Sequence, residues 1–284
     1  MSTRVIYNNR LIEATKARLL MVTPAALYGR GVFTTLAIYK GRPFLWPQHW
    51  TRLVEHAERT GVDCVDFDEE SARDALARLI AANEVADGRA RLTLFGNGEQ
   101  GFWKLKDAGA GRTELLIMTG EARHVGEEGL ALTVSPYRIN THSPLAGLKS
   151  INYLSHILSW EEARARDFDE AVVLNERGEV VSATMANIFW VTDGTLHTPA
   201  LSTGALAGTT RARVIALSSE LSIPHVEGVY DLSQLGDADE IFLTSAGLGL
   251  AIVTTFDFHR YTVAVGSVAL RLREAFRQLT LHAD

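Results

Sequence analysis

The chain has 284 residues, 46% of them hydrophobic and 22% charged, with a formal net charge of −6. That is globular composition, long enough for one large domain or two modest ones. It carries no basic stripe to suit nucleic acid, no run of 18 apolar residues to span a membrane, and no apolar signal segment after "MSTRVIYNNR". Its single cysteine, Cys64, precludes an internal disulfide and fits a reducing cytoplasm.

In chain order, "RVIYNNRLIEA" reads as a β-hairpin turning at Asn8-Asn9, and "GVFTTLAIYKGRPFLW" as a second, turning near Lys40-Gly41. "PQHWTRLVEHAERTG" then switches to helical period. Trp50, Leu53, Val54 and Ala57 share a face, Pro47 suits the first helical position and Gly61 the exit. A second helix is expected near "DEESARDALARLIAANEV", then strands at "RARLTLFG" and "TELLIMTG". The charged, Gly-containing 121–128 reads as a linker between an N-terminal domain, 1–120, and a C-terminal domain, 129–284. The second half opens with the strand "LALTVSPYRI" and the helix "NYLSHILSWEEARARDF". The strands "EAVVLN", "GEVVSA" and "NIFWV" follow, then the helix "TTRARVIALSSEL", the strand "EIFLTSAG" and a closing helix, "VALRLREAFRQLTLH". Strands cluster in both halves without a regular βαβ rhythm, which points to an α+β fold in two domains.

Nine scattered histidines lack ligand spacing with Cys or Asp, so no metal site is expected; His49 and His56 simply share a helix face. There is no G-x-S-x-G and no P-loop. "GALAGTTRARVIAL" says more. Gly204 and Gly208 precede Thr209-Thr210 at a helix start, where unsatisfied N–H groups and the helix dipole favour an anion. A plain Thr N-cap would read the same way. "FLTSAGLGL" offers a second such loop, with Ser245, and Arg52 could grip a phosphate or pair with Glu55 on the surface.

Lys149 in "SPLAGLKSINYLS" is the sharpest signal. It is one of five lysines, and no lysine follows it. An amine among apolar neighbours loses solvation of its charged form, which makes the neutral nucleophile available, whereas an arginine would stay protonated. The alternative is a snorkelling lysine at a strand end. Amine, arginine and helix-start threonines together suggest a cofactor with one aldehyde and one phosphate, pyridoxal 5′-phosphate.

The ordered set "YGRGVFTT", "HWTRL", "LAGLKSINYL", "FDEAVVLNERGEVVSATMANIFWV", "LAGTTR" and "EIFLTSAG" resembles the class IV aminotransferases. These include branched-chain and D-amino acid aminotransferases and 4-amino-4-deoxychorismate lyase. The resemblance implies two α/β domains with the cofactor cleft between them, in a homodimer whose partner helps form the substrate pocket. It makes Lys149 the Schiff-base lysine and gives the phosphate to Arg52, Thr209, Thr210 and Ser245.

Departures from the pattern bear on the reaction. The family's pyridine-binding Glu is Ser182 here, and Glu179 sits at the wrong offset to replace it. A carboxylate against a pyridinium at 4 Å is worth about 4 kcal/mol at an effective dielectric of about 20. A serine hydroxyl cannot hold that proton. Thr34 stands where aminotransferases often carry Glu, Phe95 where they carry Arg, and Ala246 where they carry Thr. "FTT" and Ala246 resemble the lyase. The substrate carboxylate then needs Arg138 or Arg30, with Thr34 also in the substrate pocket. The resemblance therefore implies a lyase eliminating pyruvate from a small amino substrate. The alternatives are an aminotransferase of branched-chain or D-amino acids or amines, and a homologue that binds the cofactor with little catalysis.

Overall fold

Two adjacent asparagines start the chain's first sheet. Asn8 and Asn9 hold φ of 49° and 61°, the left-handed pair that a two-residue hairpin needs, and so join β1 (Arg4–Tyr7) to β2 (Arg10–Glu13). The computed structural model describes residues 3–97, 113–123, 125–126 and 128–281. By its contacts the chain forms two compact units, one of Met1–Arg123 with Leu148–Asn152, the other of His124–Gly147 with Tyr153–His282.

The first unit continues with a short helix that the sequence did not announce, α1 (Pro24–Tyr28), capped by the Thr23 hydroxyl accepting from Ala26 N–H. Then come β3 (Gly31–Tyr39), the expected turn at Lys40-Gly41, and β4 (Arg42–Pro43). Helix α2 (Trp46–Arg59) begins one residue earlier than Pro47 predicted, which moves the proline to the second helical position, where its missing N–H is still no loss. Gly61, at φ 66°, follows its end as anticipated. Asp68 caps α3 (Glu69–Ala82) by accepting from Ser71 N–H at 2.8 Å. With β5 (Gly88–Gly96) and β6 (Thr113–Gly120) the strands order β2-β1-β6-β5-β3-β4, every pair antiparallel. Val32, Leu36 and Ile38 of β3 join Leu92, Leu94 and Ile117 in a core shared with Leu53 and Ala57 of α2 and Leu76 and Leu79 of α3.

β4 reaches only the far end of β3, at Ile38 and Tyr39. Leu148–Asn152 occupies the edge at the near end. Phe33 N–H donates to Lys149 O at 2.9 Å, Ile151 N–H donates to Gly31 O at 3.0 Å, and Val32 faces Ser150 across an antiparallel bridge. Lys149 is thereby built into the first unit's sheet.

The second unit is a nine-stranded sheet of β7 (Leu130–Ile139), β8 (Glu170–Asn175), β9 (Val180–Ala183), β10 (Asn187–Thr192), β11 (Thr195–Pro199), β12 (His225–Gly228), β13 (Glu240–Ser245), β14 (Gly249–Phe256) and β15 (His259–Arg260). Its order is β12-β11-β10-β13-β14-β7-β8-β9, with β15 on β14, and only β14/β7, β7/β8 and β11/β12 run parallel. Helix α4 (Leu154–Ala165) makes the β7-to-β8 crossover, starting two residues later than expected. α5 (Thr209–Glu220), the short α6 (Ser233–Gly236) and α7 (Val268–Leu281) complete the unit. Gly178, assigned to a strand on sequence, is in the turn before β9 with φ 82°. The architecture is α+β. Among the described residues no helix is long and apolar enough to cross a membrane.

Candidate active site

Helix α2 places His49, Arg52 and His56 three and four residues apart, on one face. All three are buried, so Arg52 is not the surface partner of Glu55 that the sequence allowed. Opposite them on β3, side chains alternate between the two faces of the sheet. Thr34 goes with Val32, Leu36 and Ile38 toward α2, and Phe33 goes the other way.

Thr34 is 1% exposed and its hydroxyl is the hinge of a polar chain. Arg52 Nη2 donates to Thr34 Oγ1 at 2.9 Å, and Thr34 Oγ1 lies 2.7 Å from His49 Nδ1. Arginine can only donate. The hydroxyl accepts from it and shares a second hydrogen bond with His49 Nδ1, whose direction follows the tautomer of the ring. Burial, then the charges of Arg52 and Lys149, hold the His49 pKa well below the ordinary histidine value, which favours the neutral ring.

His56 does a different job. Its Nδ1 accepts the backbone N–H of Lys149 at 3.0 Å. Burial comes first, then Arg52, Arg59 and Lys149, in pushing its pKa down to about 4. Lys149 itself is half-buried as a residue, with its amine withdrawn from water. Burial, then Arg52 and Arg91, lower the amine's pKa to about 7. Lys149 Nζ stands 4.5 Å from the centroid of the Phe33 ring, and Arg91 Cζ 3.7 Å from the same centroid. Each such contact contributes about 0.5–2 kcal/mol. Arg91 lies on β5 opposite Thr35 and donates from Nε to Thr93 Oγ1 at 3.3 Å.

The first unit thus brings together Lys149 and Arg52, which the sequence singled out, with His49, His56 and Arg91, which it did not. The histidines had a signal in their spacing around Arg52. Arg91 had none, because only the β3–β5 register puts it beside Phe33. Arg30 is half-buried with its side chain against Gly96, and its carbonyl accepts Gly96 N–H at 3.0 Å.

In the second unit, Thr209 and Thr210 open α5 and are buried. Asn187 Nδ2 donates to Leu206 O at 2.9 Å, and a Cβ on Gly208 would run into Asn187 Oδ1. Glycine is therefore kept where the backbone enters the helix. Arg211 ties the same turn to Pro199 O and Glu227. Ser245 ends β13 half-buried, its Oγ accepting from Leu248 N–H at 3.2 Å. Ser182 is buried on β9 opposite Val173. Glu179 is committed to Asn175 and Arg177, and Arg138 is exposed, with Nη1 on Ser135 O at 2.9 Å. Among the described residues no group of three His, Cys, Asp or Glu side chains could hold a metal ion.

Residues 31–256 match the amino-transferase class IV family. A putative branched-chain-amino-acid aminotransferase of Methanocaldococcus jannaschii is 31% identical over 282 residues, 97% of this chain and 96% of that protein. The chain belongs to the class IV aminotransferase family. The matched span runs from the first residue of β3 to the last of β14 and contains Thr34, Arg52, Lys149, Ser182, Thr209, Thr210 and Ser245; Arg30 lies one residue outside it. An aminodeoxychorismate lyase of Bacillus subtilis is 27% identical over 278 residues, 96% of this chain and 94% of its own. Among solved structures, the branched-chain aminotransferase of Thermoproteus uzoniensis with norvaline superposes with a TM-score of 0.92 at 27% identity. The match covers 100% of this chain and 96% of that one. The fold is that of the class IV enzymes, and both the lyase and the aminotransferase branches are represented among the relatives.

Proposed function

We propose that this class IV enzyme is a pyridoxal-phosphate-dependent lyase that eliminates pyruvate from an amino-acid-like substrate, as an aminodeoxychorismate lyase does. The observation that carries the cofactor assignment is the Lys149 amine, withdrawn from water, with a pKa near 7, in one cluster with the buried Arg52. That donor set fits an aldehyde and a phosphate. When bound, pyridoxal phosphate supplies the aldehyde for covalent attachment and a conjugated ring that takes up the electron pair left by a departing α-proton.

The chain's own residues have separate tasks. Lys149 holds the cofactor, then takes the proton from the substrate's α-carbon and returns it at a later step. Arg52, steadied by Thr34, grips the phosphate, as do Thr209, Thr210 and Ser245. Arg91, the cation on the Phe33 ring, joins Arg138 and Arg30 as a candidate partner for the substrate carboxylate, and Thr34 supports Arg52. Ser182 is the residue for the pyridine nitrogen. Its neutral hydroxyl would not hold a proton on that nitrogen, which suits an elimination better than a transamination. On this reading the enzyme is a cytoplasmic homodimer, in keeping with its one free thiol, Cys64.

A transaminase acting on branched-chain or D-amino acids is the second reading, favoured by the names of the Methanocaldococcus and Thermoproteus relatives. The two separate on one assay. Pyruvate released from an amino-dienoate substrate with no keto acid present supports the lyase. Turnover that starts only when a keto-acid acceptor is added, with glutamate or D-alanine as donor, overturns it. Ser182→Glu should raise the amine-donor half-reaction several-fold, because a carboxylate restores the proton on the pyridine nitrogen. A rate that is unchanged or lower would remove Ser182 from that position.

A further inference from the structure

We propose that His56 is a positioning residue, which fixes the reactive lysine in place by accepting the backbone N–H of Lys149 on its Nδ1 atom. The catalytic consequence rests on the cofactor assignment above, but the contact itself does not.

The Lys149 peptide is held from two sides. Its carbonyl accepts Phe33 N–H at 2.9 Å from the β3 edge, and its own N–H donates to His56 Nδ1 at 3.0 Å from α2. Ile151 N–H to Gly31 O, at 3.0 Å, prevents the segment from sliding along the strand. The N–H of Lys149 is thus tied to a side chain of α2 while its carbonyl is tied to β3. His56 is one helical turn beyond Arg52, and the same face of α2 therefore carries both the phosphate-gripping cation and the acceptor that sets where the lysine starts.

The choice of side chain has chemical content. A carboxylate would accept the same N–H, but its negative charge beside Lys149 would favour the ammonium form and raise the amine's pKa. An imidazole that stays neutral above about pH 4 accepts without adding charge. It leaves the burial, Arg52 and Arg91 effects on Lys149 intact. The bond also fixes the tautomer, since an accepting Nδ1 places the ring proton on Nε2. Misplacing a reacting group by about 1 Å can cost on the order of 100-fold in rate.

The test uses the full chain. Nitrogen-15 spectra of the wild-type histidines should show His56 neutral with Nδ1 unprotonated at pH 7, and a protonated Nδ1 would overturn the proposal without any variant. By hydrogen exchange, His56→Leu should speed the Lys149 amide at least tenfold while Leu53 and Ala57 in α2 keep their protection. His56→Asn, whose Oδ1 sits where Nδ1 does, should restore slow exchange. His56→Asp should keep the amide slow but move the midpoint of Lys149 acylation with pH upward. Equal loss of protection along α2, or no change at Lys149, would reduce His56 to a packing role. Borohydride trapping of added pyridoxal phosphate, slowed in His56→Leu and rescued in His56→Asn, reads the catalytic consequence. Failure of trapping in the wild type as well would sink the cofactor assignment and leave the exchange result standing.

Discussion

Lys149→Ala should give a protein that stays colourless with pyridoxal phosphate, resists borohydride trapping and loses roughly 1,000-fold or more in turnover. The last figure is the usual scale for removing a group that is both nucleophile and proton carrier. Lys149→Arg should fail as completely although it keeps the charge, because a guanidinium stays protonated and cannot attack an aldehyde. The wild-type amine should titrate with a midpoint near pH 7 when probed by acylation. The linkage has a definite sign. A lysine lowered to about 7 when folded, against about 10.4 unfolded, binds fewer protons in the native state between those limits. Its contribution to stability therefore rises with pH across that window and is fully unfavourable below it. Lys149→Met should flatten that part of the stability profile, as denaturant unfolding at pH 7 and pH 9 would show. A trapped, coloured Lys149→Ala protein would refute the assignment outright.

Arg52→Ala should raise the dissociation constant for pyridoxal phosphate about 30- to 1,000-fold, the equivalent of about 2–4 kcal/mol for a buried charge-assisted contact. Arg52 is 7% exposed and its guanidinium is held by Thr34, so it is oriented before any ligand arrives. Arg52→Lys should recover little, since a single ammonium cannot bond the Thr34 hydroxyl and chelate a phosphate with one planar fork. Thr34→Val isolates the orienting part. It leaves the charge but removes the hydroxyl between Arg52 and His49, and should weaken binding by roughly 1–3 kcal/mol. Fluorescence titration of the cofactor checks all three. Equal affinities for Arg52→Ala and wild type would move the phosphate elsewhere.

Much of the scaffold was legible because local chemistry dictated it. Asn8-Asn9 and Lys40-Gly41 had to be turns, and the apolar period of "HWTRLVEHA" had to face a core. The short α1 and α6 and strands β11, β12, β14 and β15 escaped; β12, for one, is held by parallel pairing to β11. At the site, the residue types of Lys149 and Arg52 betrayed them. What they touch did not show in the sequence. The docking of Leu148–Asn152 on β3, the Thr34 hydroxyl between Arg52 and His49, and Arg91 beside Phe33 are all products of long-range pairing, which no local pattern encodes.

The placement of Leu148–Asn152 along β3 has a consequence for solubility. "GVFTTLAIY" is a nine-residue run with no formal charge and strong strand-forming character, and β4 shields only its far end. The lysine-bearing segment pairs with the near end at Gly31 and Phe33, so the residues that carry the chemistry also guard that end against strand addition from another molecule. Substitutions that loosen Ser150 or Ile151 should first appear as turbidity on mild heating, at a temperature where the helices still show their full circular dichroism.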